Sequence, residues 1–336
     1  MNILFLIGNG FDLNVGLNTR FIDALKSYLK DQTTDPRIER FKADINRNFE
    51  NWSDFEKQIG NYTNEYQSQE IDDFCFCVKS FKESLIEHLK KEENKIDYNL
   101  HKENISEVFN KSILYFYDGL NDSSNSLFTR IIQQANNNRE AIEYNFITFN
   151  YTNVLDKCLD IVKNSKSHPI IRRVLHIHGD ISKNTLIGVD NSEQIKHKEF
   201  ANNEKVGWNI VKPNINDRLK NFNNRDVKSL INNSHIICLF GLSLGETDKT
   251  WWEAVGNWLK ERSGQLIVFN IVETWNSIHA DEEIENIDQV EKKFCLAAGI
   301  SDVEKNNISE RIHIGLNTDM FKINLVEPVI LDGGIF

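Results

Sequence analysis

The sequence predicts an α/β protein: a largely parallel sheet with helices on both faces and a large helical insertion after the first strand. Three observations lead there. Short apolar runs recur at Asn2–Ile7 and at residues 145–149, 174–177, 235–240, 266–271 and 312–314, each of strand length. Helical patterns separate several of them, as crossovers between parallel strands require. The candidate motifs fall directly after the runs, at the carboxyl ends where such sheets place ligands.

The run NILFLI closes on Gly8-Asn9-Gly10, so it reads as a buried strand in mid-sheet feeding a tight loop. Residues 19–139 then turn to helical periodicity, with Phe21, Ile22, Ala24, Leu25, Tyr28 and Leu29 at near 3.6-residue spacing. Within them Ser53-Asp54-Phe55-Glu56 has a capping-box pattern that predicts a helix start, and residues 71–89 read as a longer amphipathic helix. The α/β domain therefore comprises residues 1–18 and 140–336, with 19–139 inserted. No repeat or low-complexity linker interrupts it, and four prolines announce no hinge.

A chain of 336 residues with 40% hydrophobic and 26% charged residues has the composition of a soluble globular protein with a large core. Its net charge of -11 works against a broad grip on phosphate backbones, so nucleic acid is a poor partner. Five cysteines without a Cys-x-x-Cys pair do not describe a disulfide framework, and they fit a reducing compartment. The apolar N-terminus lacks a basic leader, and no later run reaches membrane-spanning length. A cytoplasmic protein is expected.

Gly8-Asn9-Gly10-Phe11-Asp12 follows the first strand, where glycines permit a turn that brings backbone N–H groups close to a pyrophosphate. A helix is expected near Thr19. The pattern departs from a dinucleotide fingerprint, because Leu13 stands where the third glycine belongs. Taken alone it is equally a structural strand-to-helix turn.

The longer string Ile7-Gly8-Asn9-Gly10-Phe11-Asp12-Leu13 through Gly16-Leu17-Asn18-Thr19 resembles the N-terminal signature of the abortive-infection H (AbiH) family. Phe149-Asn150-Tyr151-Thr152, His176-Ile177-His178-Gly179, and Gly241-Leu242-Ser243-Leu244-Gly245 through Asp248 extend the resemblance across most of the chain. Members of that family resemble sirtuin-like, Rossmann-like proteins in which such segments converge on NAD. The resemblance implies an NAD site formed by Gly8, Asn9, Gly10, Phe11, Asp12, Gly241, Ser243, Leu244 and Asn270, with Asn150 and His178 at the reacting centre. It also implies a role in phage defence, in which NAD loss halts growth. The zinc cysteines of deacetylating sirtuins have no counterpart, which argues against a deacetylase.

Each residue also has a plainer reading. Asp12 either bonds ribose hydroxyls or stabilises its own loop, since a bare carboxylate would repel a pyrophosphate. Asn150 sits on a strand's exit loop, where an amide can fix a ribose diol or a water, or where it merely turns the chain into a helix capped by Thr152. Sirtuin-like proteins often carry an acidic residue at the position of Thr152. His178 ends a strand and can serve as a general base, whereas His176 on the same side of the pleat reads as structural. Thr247 or Asp248 is placed to cap the helix of Trp251, Trp252 and Trp258, whose indoles read as core. Cys75 and Cys77 lie two apart in a helical pattern, which suits packing rather than zinc.

Three functions follow. The leading one is hydrolysis of the nicotinamide–ribose bond of NAD, with Asn150 orienting ribose or water and His178 assisting proton transfer. The second is a non-catalytic sensor of NAD, ADP-ribose or a related nucleotide that signals through the insertion. The third, suggested by the His-x-His-x-Asp spacing of His176, His178 and Asp180, is a metal-dependent hydrolase, although no second ligand cluster follows and no metal is expected. A homo-oligomer is compatible with all three.

Overall fold

The first strand, β1 (Asn2–Ile7), sends Ile3, Phe5 and Ile7 into one core and Leu4 and Leu6 into another, so it needs a layer on each face. The computed structural model describes residues 1–165, 168–219, 223–273 and 280–326. In it β1 is joined by β2 (Glu143–Thr148), β3 (Ile170–His176), β4 (Ile236–Phe240), β5 (Gln265–Asn270) and β6 (Ile312–Leu316). Every neighbouring pair is parallel, in the order β3-β2-β1-β4-β5-β6. This is a doubly wound, Rossmann-like order, with its switch point between β1 and β4.

The apolar runs locate all six strands but understate β3, which starts at Ile170 rather than at residue 174. Its early residues include the exposed Arg172, paired with Glu143 of β2, and Arg173. An edge strand half in water carries no apolar run.

Helices Lys102–Leu114, Asp122–Asn137 and Val154–Lys163 cover one face, through residues such as Phe109, Phe128 and Leu159. Helices Asn223–Asn232, Lys249–Glu261 and Ala280–Ala297 cover the other, where Trp251, Trp252 and Trp258 are buried as the sequence suggests. The stretch 19–139, expected as one insertion, divides between cores. Its helices Phe21–Lys30, Pro36–Arg47, Phe55–Tyr62 and Ile71–Glu93 build a separate aromatic core around Phe41, Trp52, Phe55 and Phe81, which also takes in Val189, Phe200 and Ile210. The next two helices instead pack on the sheet, the first through the four-residue stripe Ile105, Phe109 and Ile113 and the second through Phe128.

Two local details differ from the sequence reading. The helix Phe55–Tyr62 is capped by Asp54, which accepts from the Lys57 amide, and not by Ser53. The helix expected near Thr19 is Phe21–Lys30, but a short helix the sequence did not announce, Gly10–Asn14, precedes it. Cys75 and Cys77 pack in the second core, and all five cysteines are free and buried. Among the described residues no helix is long and apolar enough to cross a membrane.

Candidate functional site

The loops leaving β1 and β4 meet backbone to backbone at the switch point. The Gly8 amide donates to Phe240 O and the Gly10 amide to Gly241 O, both at 2.9 Å. A Cβ on Gly8 would lie 2.5 Å from Gly241 O, and one on Gly10 2.5 Å from Gly241 Cα. Gly241 itself has φ +66°. The two amides expected to face a pyrophosphate are thus engaged within the protein, and the glycines let the loops interlock.

Beside this junction lies a cavity of about 600 Å³, within the range of small-molecule sites. Of the predicted site residues, Gly8, Asn9, Gly10, Asp12, Asn150, His178, Gly241, Ser243 and Asn270 line it. Two others do not. Phe11 is fully buried, edge-on to Phe109 and Phe321, because its place in the short helix turns it toward the core. Leu244 adopts φ +54° and packs against the core on the other face. The opposite wall comes from the helical insertion, including Arg20, Phe21, Glu56, Leu85 and Leu89.

Asp12 is 1% exposed and ties the β1 loop to the β2 loop. Asn150 Nδ2 donates to its Oδ1 at 3.0 Å and Thr152 Oγ1 to its Oδ2 at 2.7 Å. Burial pushes its carboxyl up to about 7, against the pull of both hydrogen bonds. Thr152 is therefore not a helix cap; Asn153 occupies that position without a side-chain bond. Thr19 Oγ1 donates to Asn9 Oδ1 at 2.6 Å, and Asn270 Nδ2 lies 3.3 Å from Ile271 O.

His178, 4% exposed, meets Asp248 through Nε2 at 2.8 Å. Lys212 Nζ donates to the same carboxylate oxygen at 2.9 Å and to Glu56 Oε2 at 3.1 Å. Glu56 Oε1 accepts from the Gly188 amide at 3.0 Å and lies 3.3 Å from the Tyr151 hydroxyl. Burial alone would raise the Asp248 carboxyl, but Lys212 and His178 hold it well below the usual range. An ionised Asp248 can only accept, so Nε2 of His178 carries a proton toward it. Asp248 sits at the N-terminus of the helix Lys249–Glu261 but makes no capping bond, because its side chain is committed to this network.

Two buried polar atoms stand out. Among the described residues neither Asn150 Oδ1 nor His178 Nδ1 has a hydrogen-bond partner, although both side chains line the cavity. A buried polar atom left so costs about 1–3 kcal/mol, a cost that a hydrogen-bonding ligand removes. His176 is engaged elsewhere. Its Nε2 lies 2.8 Å from Asp156 Oδ2 and its Nδ1 3.2 Å from Asn150 O, which steadies the Asn150 loop. The two histidines thus turn to separate carboxylates, and among the described residues no three His, Cys, Asp or Glu side chains gather as a metal site.

Sequence reasoning missed Glu56, Lys212 and Arg20. Glu56 and Lys212 are 156 positions apart, and only their placement beside apolar neighbours, Phe55 and Val211, hinted at burial. Arg20 carried no signal beyond its place after Thr19. Comparison with curated proteins finds no match to the chain. A family model described as bacteriophage abortive infection AbiH matches residues 4–270, well over half of the sequence, and runs from within β1 to the end of β5, taking in the site residues named above from Gly8 to Asn270. On that match the chain belongs to the bacteriophage abortive infection AbiH family.

Proposed function

We propose that this abortive-infection protein binds NAD in the switch-point cavity and hydrolyses its nicotinamide–ribose bond. The observation that carries the reading is the pair of unpartnered buried atoms, Asn150 Oδ1 and His178 Nδ1, on two side chains that line one cavity. One accepts a hydrogen bond from a ribose hydroxyl or a water; the other accepts a proton.

In this reaction the bond between ribose C1′ and the pyridinium nitrogen breaks, its electron pair neutralises the nicotinamide, and a water oxygen bonds to C1′. His178 Nδ1 takes the proton that water releases, and Asp248 stabilises the resulting imidazolium from the far side. Asn150, held by Asp12, fixes the direction of attack. Positive charge develops on the sugar, and a wall that carries the Asp248 carboxylate suits it. The rings of Phe149 and Trp252, stacked at 5.2 Å, border the same cavity and supply an apolar face for a planar base.

The test incubates the full chain with NAD and resolves nicotinamide, ADP-ribose and intact NAD. Release of nicotinamide that collapses in Asn150→Ala and His178→Ala is the expected result. NAD binding without any release would replace the enzyme by the nucleotide sensor, and neither binding nor release would overturn both.

A further inference from the structure

The site contains a buried cation that hydrolysis of NAD does not itself require. Lys212 is 3% exposed and lies at the start of the helix Lys212–Leu219. Taking an ammonium out of water costs several kcal/mol, and Lys212 recovers that through two carboxylates on opposite sides, Asp248 and Glu56. The arrangement is asymmetric in a telling way. Lys212 and His178 address the same oxygen, Asp248 Oδ1, at 2.9 and 2.8 Å.

A carboxylate alone at 2.8 Å from an imidazole favours the doubly protonated ring, which has no lone pair to act as a base. A second cation on the same oxygen opposes that, because an imidazolium would face the ammonium across one shared acceptor. The other neighbours of His178 do not supply this effect: Phe149 and Tyr151 present rings at 5.6 and 6.3 Å. The Tyr151 hydroxyl turns to Glu56 and Leu186 O instead.

We propose that Lys212, anchored by Glu56, is a positioning residue that keeps His178 neutral, with Nε2–H on Asp248 and a bare Nδ1 toward the cavity. The role rests on the reading of His178 as proton acceptor. It also gives the helical insertion a part in the chemistry, since Glu56 belongs to the helix Phe55–Tyr62. The insertion then reaches the reacting centre through a relay of charge, Glu56 to Lys212 to Asp248 to His178, besides forming a wall.

The experiment is nitrogen NMR of the full chain labelled at histidine, near neutral pH, with the His178 signals assigned by their loss in His178→Gln. The unmutated protein is expected to show one protonated and one bare ring nitrogen. In Lys212→Gln both nitrogens of His178 become protonated, and any nicotinamide release falls by at least about tenfold, as loss of a base predicts. Because Lys212→Gln leaves two carboxylates facing each other, the charge-balanced pair Glu56→Gln with Lys212→Gln is measured beside it and is expected to show the same His178 signature. Folded variants with the unmutated His178 pattern, or an unmutated His178 already doubly protonated, would overturn the assignment. The NMR result needs no NAD, so it decides the role of Lys212 even if the unmutated protein releases no nicotinamide.

Discussion

Replacing Asp12 by asparagine should flatten the pH dependence of stability, and the size of the effect follows from one buried carboxyl. Asp12 titrates in the folded chain near 7 against an ordinary 3.8, a gap of about 3 units. Between those values the unfolded chain has released its proton while the native protein keeps it. Native binding of the extra proton means that stability falls as pH rises through this window. At about 1.4 kcal/mol per unit, the native state loses about 4 kcal/mol between about pH 4 and pH 8 on account of this group alone. The amide introduced by Asp12→Asn can keep both contacts, since its oxygen accepts from Asn150 Nδ2 and its nitrogen donates to Thr152 Oγ1 once that hydroxyl rotates. Urea unfolding of the two proteins across that range, taken as a difference so that other carboxyls cancel, should therefore diverge by about 4 kcal/mol, with Asp12→Asn the more stable at the alkaline end. Parallel curves would show that Asp12 is ionised without penalty in the native state and would refute the argument.

Other expectations are simpler to check. His178→Ala should lower NAD turnover by about 10²–10⁴-fold and Asn150→Ala should lower it too, each by more than its loss of stability accounts for, a comparison of initial rates with thermal melts of variants that remain folded. Thr152→Val, which removes one of the two bonds to Asp12, should shift the pH window of the Asp12 effect upward in the same urea measurement. Gly241→Ala should destabilise the fold by at least about 1–2 kcal/mol from its left-handed φ alone, and further from contact with the Gly10 backbone, read as a lowered Tm. His313, which burial holds down to about 4, stays neutral in the native state where the unfolded chain binds a proton. Acidification from about pH 6.5 to about pH 4 should therefore cost stability that His313→Gln does not lose, as calorimetry across that range would reveal.

The sheet was legible because β1, β4 and β5 are buried on both faces and read as apolar runs, and β2, although it carries the buried Asn145 and Thr148, keeps Phe146 and Ile147 at its centre. The polar edge of β3 was not, since Arg172 and Arg173 look like loop residues until Glu143 and Asp226 stand beside them. In the site, motifs at strand ends pointed to the loops that line the cavity, but not to which atoms face inward. Asp248 sits at a helix cap and Thr152 one residue before one, and in each case a partner remote in sequence claimed the side chain. Asp12 holds Thr152, while His178 and Lys212 hold Asp248. Such long-range pairings leave no local pattern to read.

The contact of Gly8 and Gly10 with Gly241 has a consequence for how such a site can change. At Gly8, Gly10 and Gly241 the two loops meet through main chain, with the Leu242 side chain packed beside Gly8, so a substituent on any of these glycines acts as a wedge between the halves of the sheet. Side chains that can alter ligand preference instead stand around this junction, among them Ser243, Asn270 and the insertion wall of Arg20, Phe21, Glu56, Leu85 and Leu89. A site built this way has a fixed seam and adjustable walls, so a library of variants screened for altered ligand binding should draw its hits from the walls and not from Gly8, Gly10 or Gly241.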